Sequence, residues 1–252
     1  MIMNENEQNE QIEIEYLYGI NSVIETLNSK SRTIYKIFLC ASSKTNPRLL
    51  AIEELAKKNK INYAWIEKGR LIDLSRSKEN QGVVAEVSQY KCFTHHEALD
   101  GGSAILLDNL EDPQNIGAII RSAEIFGFKS VLLPNKNTPA IYPSIVKASA
   151  GATEHIKIVR DRLANHYVKY AQDRGYFIVA LDENGKIDIN DLCIPENKNL
   201  LLVVGGEDSS IGQYILNCAD AVACIKQQGN INSLNASVAA GVAMFALKKF
   251  IK

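Results

Sequence analysis

Near its C-terminus the chain reads Asn230-Ile231-Asn232-Ser233-Leu234-Asn235-Ala236-Ser237 and runs directly into Val238-Ala239-Ala240-Gly241-Val242-Ala243-Met244-Phe245. Hydroxyl and amide side chains therefore crowd the mouth of a helix that is apolar almost all the way round. Ser and Asn favour helix starts because they satisfy the orphan N–H groups of the first turn. One cap needs one such residue, yet Asn232, Ser233, Asn235 and Ser237 share the turn. The surplus implies a ligand held at the positive end of a buried helix. The alternative is a capped core helix with spare polar residues.

Two other segments carry residues suited to a site. Asp108-Asn109-Leu110-Glu111-Asp112-Pro113-Gln114-Asn115-Ile116-Gly117 follows a short apolar run and leads into Ala118-Ile119-Ile120-Arg121. A helix from about Asn115 buries Ile116, Ile119, Ile120 and Ala123, and sets Gly117 and Arg121 on another face. A glycine one turn below an arginine leaves room for a group to approach the guanidinium. The competing reading is a surface arginine paired with Glu124 or Glu111. Val203-Val204-Gly205-Gly206-Glu207-Asp208-Ser209-Ser210-Ile211-Gly212 puts paired glycines after an apolar strand, which permits a tight turn and close backbone approach to a ligand. Glu207 and Asp208 either serve that site or cap the next helix. The dinucleotide GxGxxG and the GK[ST] phosphate loop are both missing, which argues against a nucleotide-dependent dehydrogenase or a phosphate-loop enzyme. A third loop, Cys224-Ile225-Lys226-Gln227-Gln228-Gly229, leads into the Asn/Ser cluster.

The elements that must hold these loops follow from the apolar pattern. Strands over 104–107, 130–133, 156–159, 176–181, 200–204 and 221–225 alternate with helices over 115–126, 142–150, 162–174, 211–217 and 234–251. Short apolar strands separated by helices predict an α/β fold with a parallel sheet covered on both faces. Ligands in such sheets bind at the carboxyl ends of the strands, where all three loops fall. The apolar surface of 234–251 on nearly every side predicts burial on both faces. Residues 16–90 read as a smaller α/β module. Its first helix opens at Tyr18-Gly19-Ile20-Asn21, its strands lie at 34–39, 62–66 and 82–87, and two further helices lie at 49–59 and 71–74. Residues 91–103 read as a linker and 1–15 as a disordered acidic tail.

Composition bounds the classes. With 46% hydrophobic and 23% charged residues in 252, the chain has the make-up of a soluble globular protein. Its longest apolar run, 238–247, is far too short to span a bilayer, and the acidic N-terminus is the reverse of a signal peptide. Cys40, Cys92, Cys193, Cys218 and Cys224 are scattered without a CxxC pair, so neither a metal site nor a disulfide framework is expected, and a cytoplasmic setting fits. Residues 1–15 hold five acids and no base, whereas 16–92 hold 13 Lys/Arg against 7 Asp/Glu and 93–252 hold 15 against 17. A basic module beside a near-neutral one is compatible with RNA binding, with Lys36, Lys44, Arg48, Lys57, Lys58 and Arg70 as candidate contacts. An excess of this size is also common on ordinary surfaces.

Taken in order, the three loops resemble the motifs of the SpoU-type (TrmH-like) RNA ribose 2′-O-methyltransferases of the SPOUT class. Asn115, Gly117 and Arg121 match the first motif, Gly205 and Glu207 the second, and Ile225, Ser233, Leu234, Asn235 and Ser237 the third. The resemblance covers 104–252, and Tyr18-Gly19-Ile20-Asn21-Ser22-Val23 looks like the opening of the family's small RNA-substrate-binding domain. The layout is most similar to the RlmB-type enzymes that methylate a guanosine ribose in large-subunit ribosomal RNA. The resemblance implies S-adenosylmethionine (AdoMet) as methyl donor, a C-terminal trefoil knot, a homodimer formed through the C-terminal domain, and no metal or membrane. It further implies that Gly205, Ile225, Leu234 and Gly229 contact the donor, and that Asn115, Arg121, Glu207, Ser233 and Asn235 line the reaction site. The chain departs from the family at Lys226 and Gln227, where proline and methionine are usual, and at Asp208 and Ser210, where glycines are usual. Those departures favour a catalytically silent RNA-binding or ribosome-assembly factor. Retention of Arg121, Glu207, Ser233 and Asn235 favours the enzyme, because RNA binding alone needs basic and aromatic surface instead. The same chemistry on transfer RNA is the third reading.

Overall fold

The front of the chain pairs its first strand with its fourth. A computed structural model describes residues 13–206, 211–230 and 233–251. In it, β1 (Ile14–Tyr18), β2 (Ile34–Cys40), β3 (Asn62–Ile66) and β4 (Val83–Ser88) form a sheet of order β1-β4-β2-β3. β4 runs antiparallel to both neighbours, and β2 and β3 are parallel. Helices α1 (Ile20–Ser29), α2 (Pro47–Lys58) and α3 (Lys68–Ser75) complete this unit. The side chain of Asn46 caps α2 by accepting from the Arg48 N–H at 2.9 Å, with Pro47 at the first helical position.

Three boundaries differ from those the sequence suggests. Ile14 and Glu15, expected in a disordered tail, belong to β1 opposite Ser88 and Val87, and Glu15 pairs with Arg32. Residues 1–12 lie outside the described residues. Tyr18 closes β1 rather than opening a helix: Gly19, at φ 97°, turns the chain, and the Gln81 side chain accepts from the Ile20 N–H at 2.9 Å. The expected linker 91–103 is folded. Phe93 bridges to Val159, and a Thr94–Glu97 capping box starts the short helix α4 (His95–Ala98).

Beyond it lie β5 (Ala104–Asp108), β6 (Ser130–Leu132), β7 (Lys157–Val159), β8 (Phe177–Leu181), β9 (Ile187–Asp188), β10 (Leu200–Gly205) and β11 (Ala221–Cys224). Every pairing among them is parallel, in the order β7-β6-β5-β10-β8-β11-β9. The helices are α5 (Pro113–Ile125), α6 (Pro143–Ala148), α7 (Ala164–Asp173), α8 (Gln213–Cys218) and α9 (Ala236–Leu247). Ile105, Leu107, Leu202 and Val204 join one core with α5, α6 and α9, while Leu106, Ala180 and Val203 join another with α4, α7 and α8. Burial on both faces explains why these strands read as unbroken apolar runs. Helix α9 departs from expectation: it buries Ala236, Ala240, Ala243, Met244 and Leu247, but Val238, Val242 and Phe245 are 50%, 42% and 57% exposed. A single chain thus covers one face of the helix and leaves the other open.

The two units share a core, and α6 packs on β1. Arg32 lies at their junction, paired with Glu15 and, at 3.7 Å, with Glu154, whose carboxylate also accepts from Ser31. Burial pushes the Glu154 carboxyl up, against the pull of Ser31 and Arg32. The Tyr90 hydroxyl donates to the Thr153 carbonyl at 2.8 Å, and His155 Nε2 lies 2.8 Å from Glu25 Oε2. Polar bonds this specific fix the register between the units, which apolar contact alone does not.

Candidate active site

The carboxyl ends of β8, β10 and β11 and the start of α9 surround a cleft of about 570 Å³, inside the ~300–1,000 Å³ range of small-molecule sites. Gly205 and Gly206 form its floor beside Val204. Ile225 and Gln227 come from the loop after β11, and Asp182, Glu183 and Asn184 from the loop after β8. Ser233, Leu234, Asn235, Ala236 and Ala239 supply the remaining wall. The glycine pair makes its close approach to the chain itself, since a Cβ at Gly206 would collide with the Asn109 carbonyl oxygen. Asn109 holds φ 55° and accepts from Asn137 Nδ2 at 2.8 Å, which ties the loops after β5 and β6 together.

Asp108 ends β5 opposite Gly205, is 6% exposed, and accepts from the Gly212 N–H at 3.3 Å. Burial pushes its carboxyl above the usual range, and the Gly212 bond opposes that shift. A raised folded-state value means that the native chain keeps this proton to higher pH than the unfolded chain. The group therefore adds a cost that grows as pH rises through that window and is complete above it. Asp108→Asn, which keeps an acceptor for Gly212, is expected to match or exceed the parent in urea midpoint at pH 7. The difference should close as pH falls to about 4. A variant weaker at pH 7 would show that the charged bond to Gly212 outweighs burial.

The two motif helices meet at their first turns. Asp112 caps α5, accepting from Gln114 N–H at 3.0 Å and Asn115 N–H at 3.3 Å. Asn235 caps α9: its Oδ1 accepts from Ser237 N–H at 3.0 Å, Val238 N–H at 3.3 Å and the Ser237 hydroxyl at 2.6 Å. Its Nδ2 donates at 3.0 Å to Oδ1 of Asn115, which is 8% exposed. Part of the polar surplus at this turn is thus spent on the cap and on the tie between helices, and Ser233 is left on the cleft wall. The space expected at Gly117 is filled, because a Cβ there would run into Ala148 of α6. Its lack of a side chain serves helix packing rather than access to the guanidinium. Arg121 is exposed and, among the described residues, bonds to no group, Glu111 and Glu124 included.

Residues 102–245 match the sequence pattern of the SpoU rRNA Methylase family. The chain belongs to that family. Residues 16–92 match the RNA 2′-O ribose methyltransferase substrate-binding domain, so the chain is a two-unit RNA 2′-O-methyltransferase of the SpoU family. It is 31% identical to a putative TrmH family tRNA/rRNA methyltransferase, YacO, of Bacillus subtilis, over 92% of this chain and 94% of that one. It is 29% identical to the 23S rRNA (guanosine-2′-O-)-methyltransferase RlmB of Xylella fastidiosa, with the same coverage. The SpoU methyltransferase AviRb from Streptomyces viridochromogenes, solved with AdoMet, superposes with a TM-score of 0.76 over 93% of this chain and 89% of that one, at 20% identity.

The SpoU cleft fits AdoMet, the methyl donor, on two counts. It offers Gly205 and Gly206 backbone beside the apolar Ile211, Ile225, Leu234 and Ala239, a slot suited to a flat base and ribose. Its described lining holds two carboxylates and no Lys, Arg or His, which suits a cationic ligand. Lys226 does not fill the cleft: its ammonium lies 3.6 Å from the Asp188 carboxylate, and Gln227 forms the wall instead. Of the residues the resemblance assigned to the donor, Gly205, Ile225 and Leu234 line the cleft and Gly229 does not. Of those assigned to the reaction, Ser233 and Asn235 line it and Asn115 is tied to it. Glu207, with Asp208, Ser210 and Asn232, lies outside the described residues. Among the described residues, no cluster of His, Cys, Asp or Glu could hold a metal ion, and no helix is long and apolar enough to cross a membrane.

In the front unit, Lys36, Lys44 and Lys57 set their ammonium groups 5.1, 5.8 and 5.6 Å from the ring centroids of Phe38, Trp65 and Tyr63. Lys57 also pairs with Glu53 at 2.9 Å, and Arg48 donates to Asn21. Lys58 and Arg70 are exposed. Sequence reasoning singled out neither Asp182 nor Glu183. Their place just after the apolar strand β8, where open sheets put their sites, was the available signal.

Proposed function

We propose that this SpoU enzyme methylates the 2′-hydroxyl of a guanosine ribose in large-subunit ribosomal RNA, as a cytoplasmic homodimer whose C-terminal unit is threaded as a trefoil knot. One observation carries the chemistry. Arg121 stands exposed on α5 and, among the described residues, bonds to no group, about 9 Å along the helix from Asn115, which is tied to the cleft wall through Asn235. Bound AdoMet supplies the electrophilic methyl group. Arg121 grips the phosphate beside the target ribose and stabilises negative charge developing on the 2′-oxygen; a guanidinium scarcely deprotonates, so it is not the base. Asn235 and Asn115 hold the two helix starts in one geometry, and Ser233 orients the ribose. Glu207 orients Arg121 or accepts the hydroxyl proton through a water. Lys36, Lys44, Arg48, Lys57, Lys58 and Arg70 give the front unit its grip on RNA phosphates. The choice of large-subunit RNA rests on the likeness to RlmB across both units.

The dimer reading rests on the open face of α9. Val238, Val242 and Phe245 form a stripe at helical spacing, Phe245 meets Phe126 with ring centroids 6.0 Å apart, and Ile125, the chain neighbour of Phe126, is 64% exposed. Exposed apolar residues grouped in this way mark an interface. Phe245→Asp is expected to give a folded monomer in sedimentation velocity where the parent is a dimer; a parent that sediments as a monomer would refute the reading.

Radiolabelled methyl transfer from AdoMet to unmodified ribosomal RNA, with nuclease mapping of the product, tests the function. Label on a 2′-O-methylguanosine of the large subunit is the expected result. Label on transfer RNA alone moves the substrate. No label, with RNA bound and AdoMet not, gives the lead to the silent-factor reading.

A further inference from the structure

Among the described residues, the loop after β8 supplies the charged side chains of the donor cleft. Asp182 N–H donates to the Ala223 carbonyl at 2.9 Å and Gly185 N–H to the Asp182 carbonyl at 3.0 Å, which closes a tight turn against β11. A Cβ at Gly185 would meet the Ala223 carbonyl carbon at 2.5 Å, so the turn lies directly on that strand. Asp182 Oδ1 accepts from the Asn184 N–H at 2.9 Å, which fixes the carboxylate within the turn. Glu183 is exposed, lines the cleft and, among the described residues, makes no hydrogen bond or ion pair. Two carboxylates thus stand on a rigid wall of a cleft whose described lining has no cation to neutralise them.

Resting on the AdoMet reading above, we propose that Glu183, supported by Asp182, makes this cleft discriminate donor from product by charge. AdoMet and S-adenosylhomocysteine share the same base, ribose and amino-acid end. They differ by one methyl group and the positive charge of the sulfonium. Transfer forms a bond from the 2′-oxygen to the methyl carbon and breaks the carbon–sulfur bond, whose electron pair stays on sulfur. The hydroxyl proton leaves to solvent, and the ligand left in the cleft has lost its net charge. A carboxylate wall attracts the cationic donor and loses that attraction once the methyl has gone. The wall therefore favours product release without weakening donor capture. An uncommitted carboxylate suits this task better than a paired one, because a paired carboxylate already has its field cancelled by its partner.

Calorimetric titration of the intact protein with AdoMet and with S-adenosylhomocysteine tests the inference. The parent is expected to bind AdoMet more tightly, by a ratio that narrows as salt rises. Glu183→Gln should weaken AdoMet about three- to tenfold, the effect of one unit charge across a partly wet cleft, and leave S-adenosylhomocysteine within about twofold. Glu183→Lys should widen the loss for AdoMet alone. If both ligands weaken together, or neither changes, the inference is overturned while the donor reading stands. If the parent binds neither ligand, the donor reading fails and takes the inference with it. Thermal midpoints of the variants, measured alongside, identify any loss caused by misfolding, and exposed Glu183 is expected to show none.

Discussion

Replacing Arg121 by alanine is expected to lower methyl transfer about 10²–10³-fold, the usual effect of removing one preorganised group from a developing oxyanion. Thermal stability and AdoMet affinity should stay at parental values. The separation follows from where the side chain sits: it is exposed, bonds to nothing among the described residues, and is not part of the cleft wall. Removing it breaks no cap, tie or core contact, unlike Asn115 or Asn235. Arg121→Lys discriminates further. A lysine retains the charge but lacks the planar fork that engages a phosphate and a neighbouring oxygen together. Single-turnover rates for Arg121→Lys near those of alanine would support the two-pronged grip. Rates near the parent would reduce the role of Arg121 to simple charge. Full activity in Arg121→Ala would remove it from the chemistry.

How far the sequence displays all this depends on where burial enforces a pattern. β5 and β10 were legible because both faces are covered, so every residue from Ala104 to Leu107 and from Leu200 to Val204 is apolar. The start of α5 was placed two residues late, at about Asn115, although Asp112-Pro113 carries its cap and its fixed φ. β1 was hidden because it is an edge strand that continues an acidic segment and carries Glu15, and the cation that pairs with Glu15, Arg32, comes from beyond the next helix. At four residues, α4 is too short to show a helical period, and β9 has only two. Gly117 was misread for a different reason. Spacing places it on a face of α5, but only tertiary packing reveals that Ala148 occupies that face. For Glu183 the position just after an apolar strand was legible, but its place on the cleft wall depends on the close approach of Gly185 to β11.

The second large effect is expected at Asn235, and two variants separate its two roles. Asn235→Ala removes the α9 cap, which orphans the Ser237 and Val238 N–H groups, and should cost about 1 kcal/mol of stability. It also removes the donor to Asn115, so the wall from Ser233 to Ala239 is no longer held against the start of α5. AdoMet affinity is expected to fall at least about tenfold, equivalent to ~1.4 kcal/mol. Asn235→Asp keeps an oxygen at the cap, where a negative charge also suits the positive helix end. It offers Asn115 no N–H, however, and sets a carboxylate oxygen against the Asn115 oxygen. The thermal midpoint should therefore recover in Asn235→Asp while AdoMet affinity remains low. Recovery of both would reduce Asn235 to a helix cap and make its bond to Asn115 incidental. Parental AdoMet affinity in Asn235→Ala would separate this wall from the donor altogether, because an uncapped, untied helix start cannot hold a ligand in the geometry that methyl transfer requires.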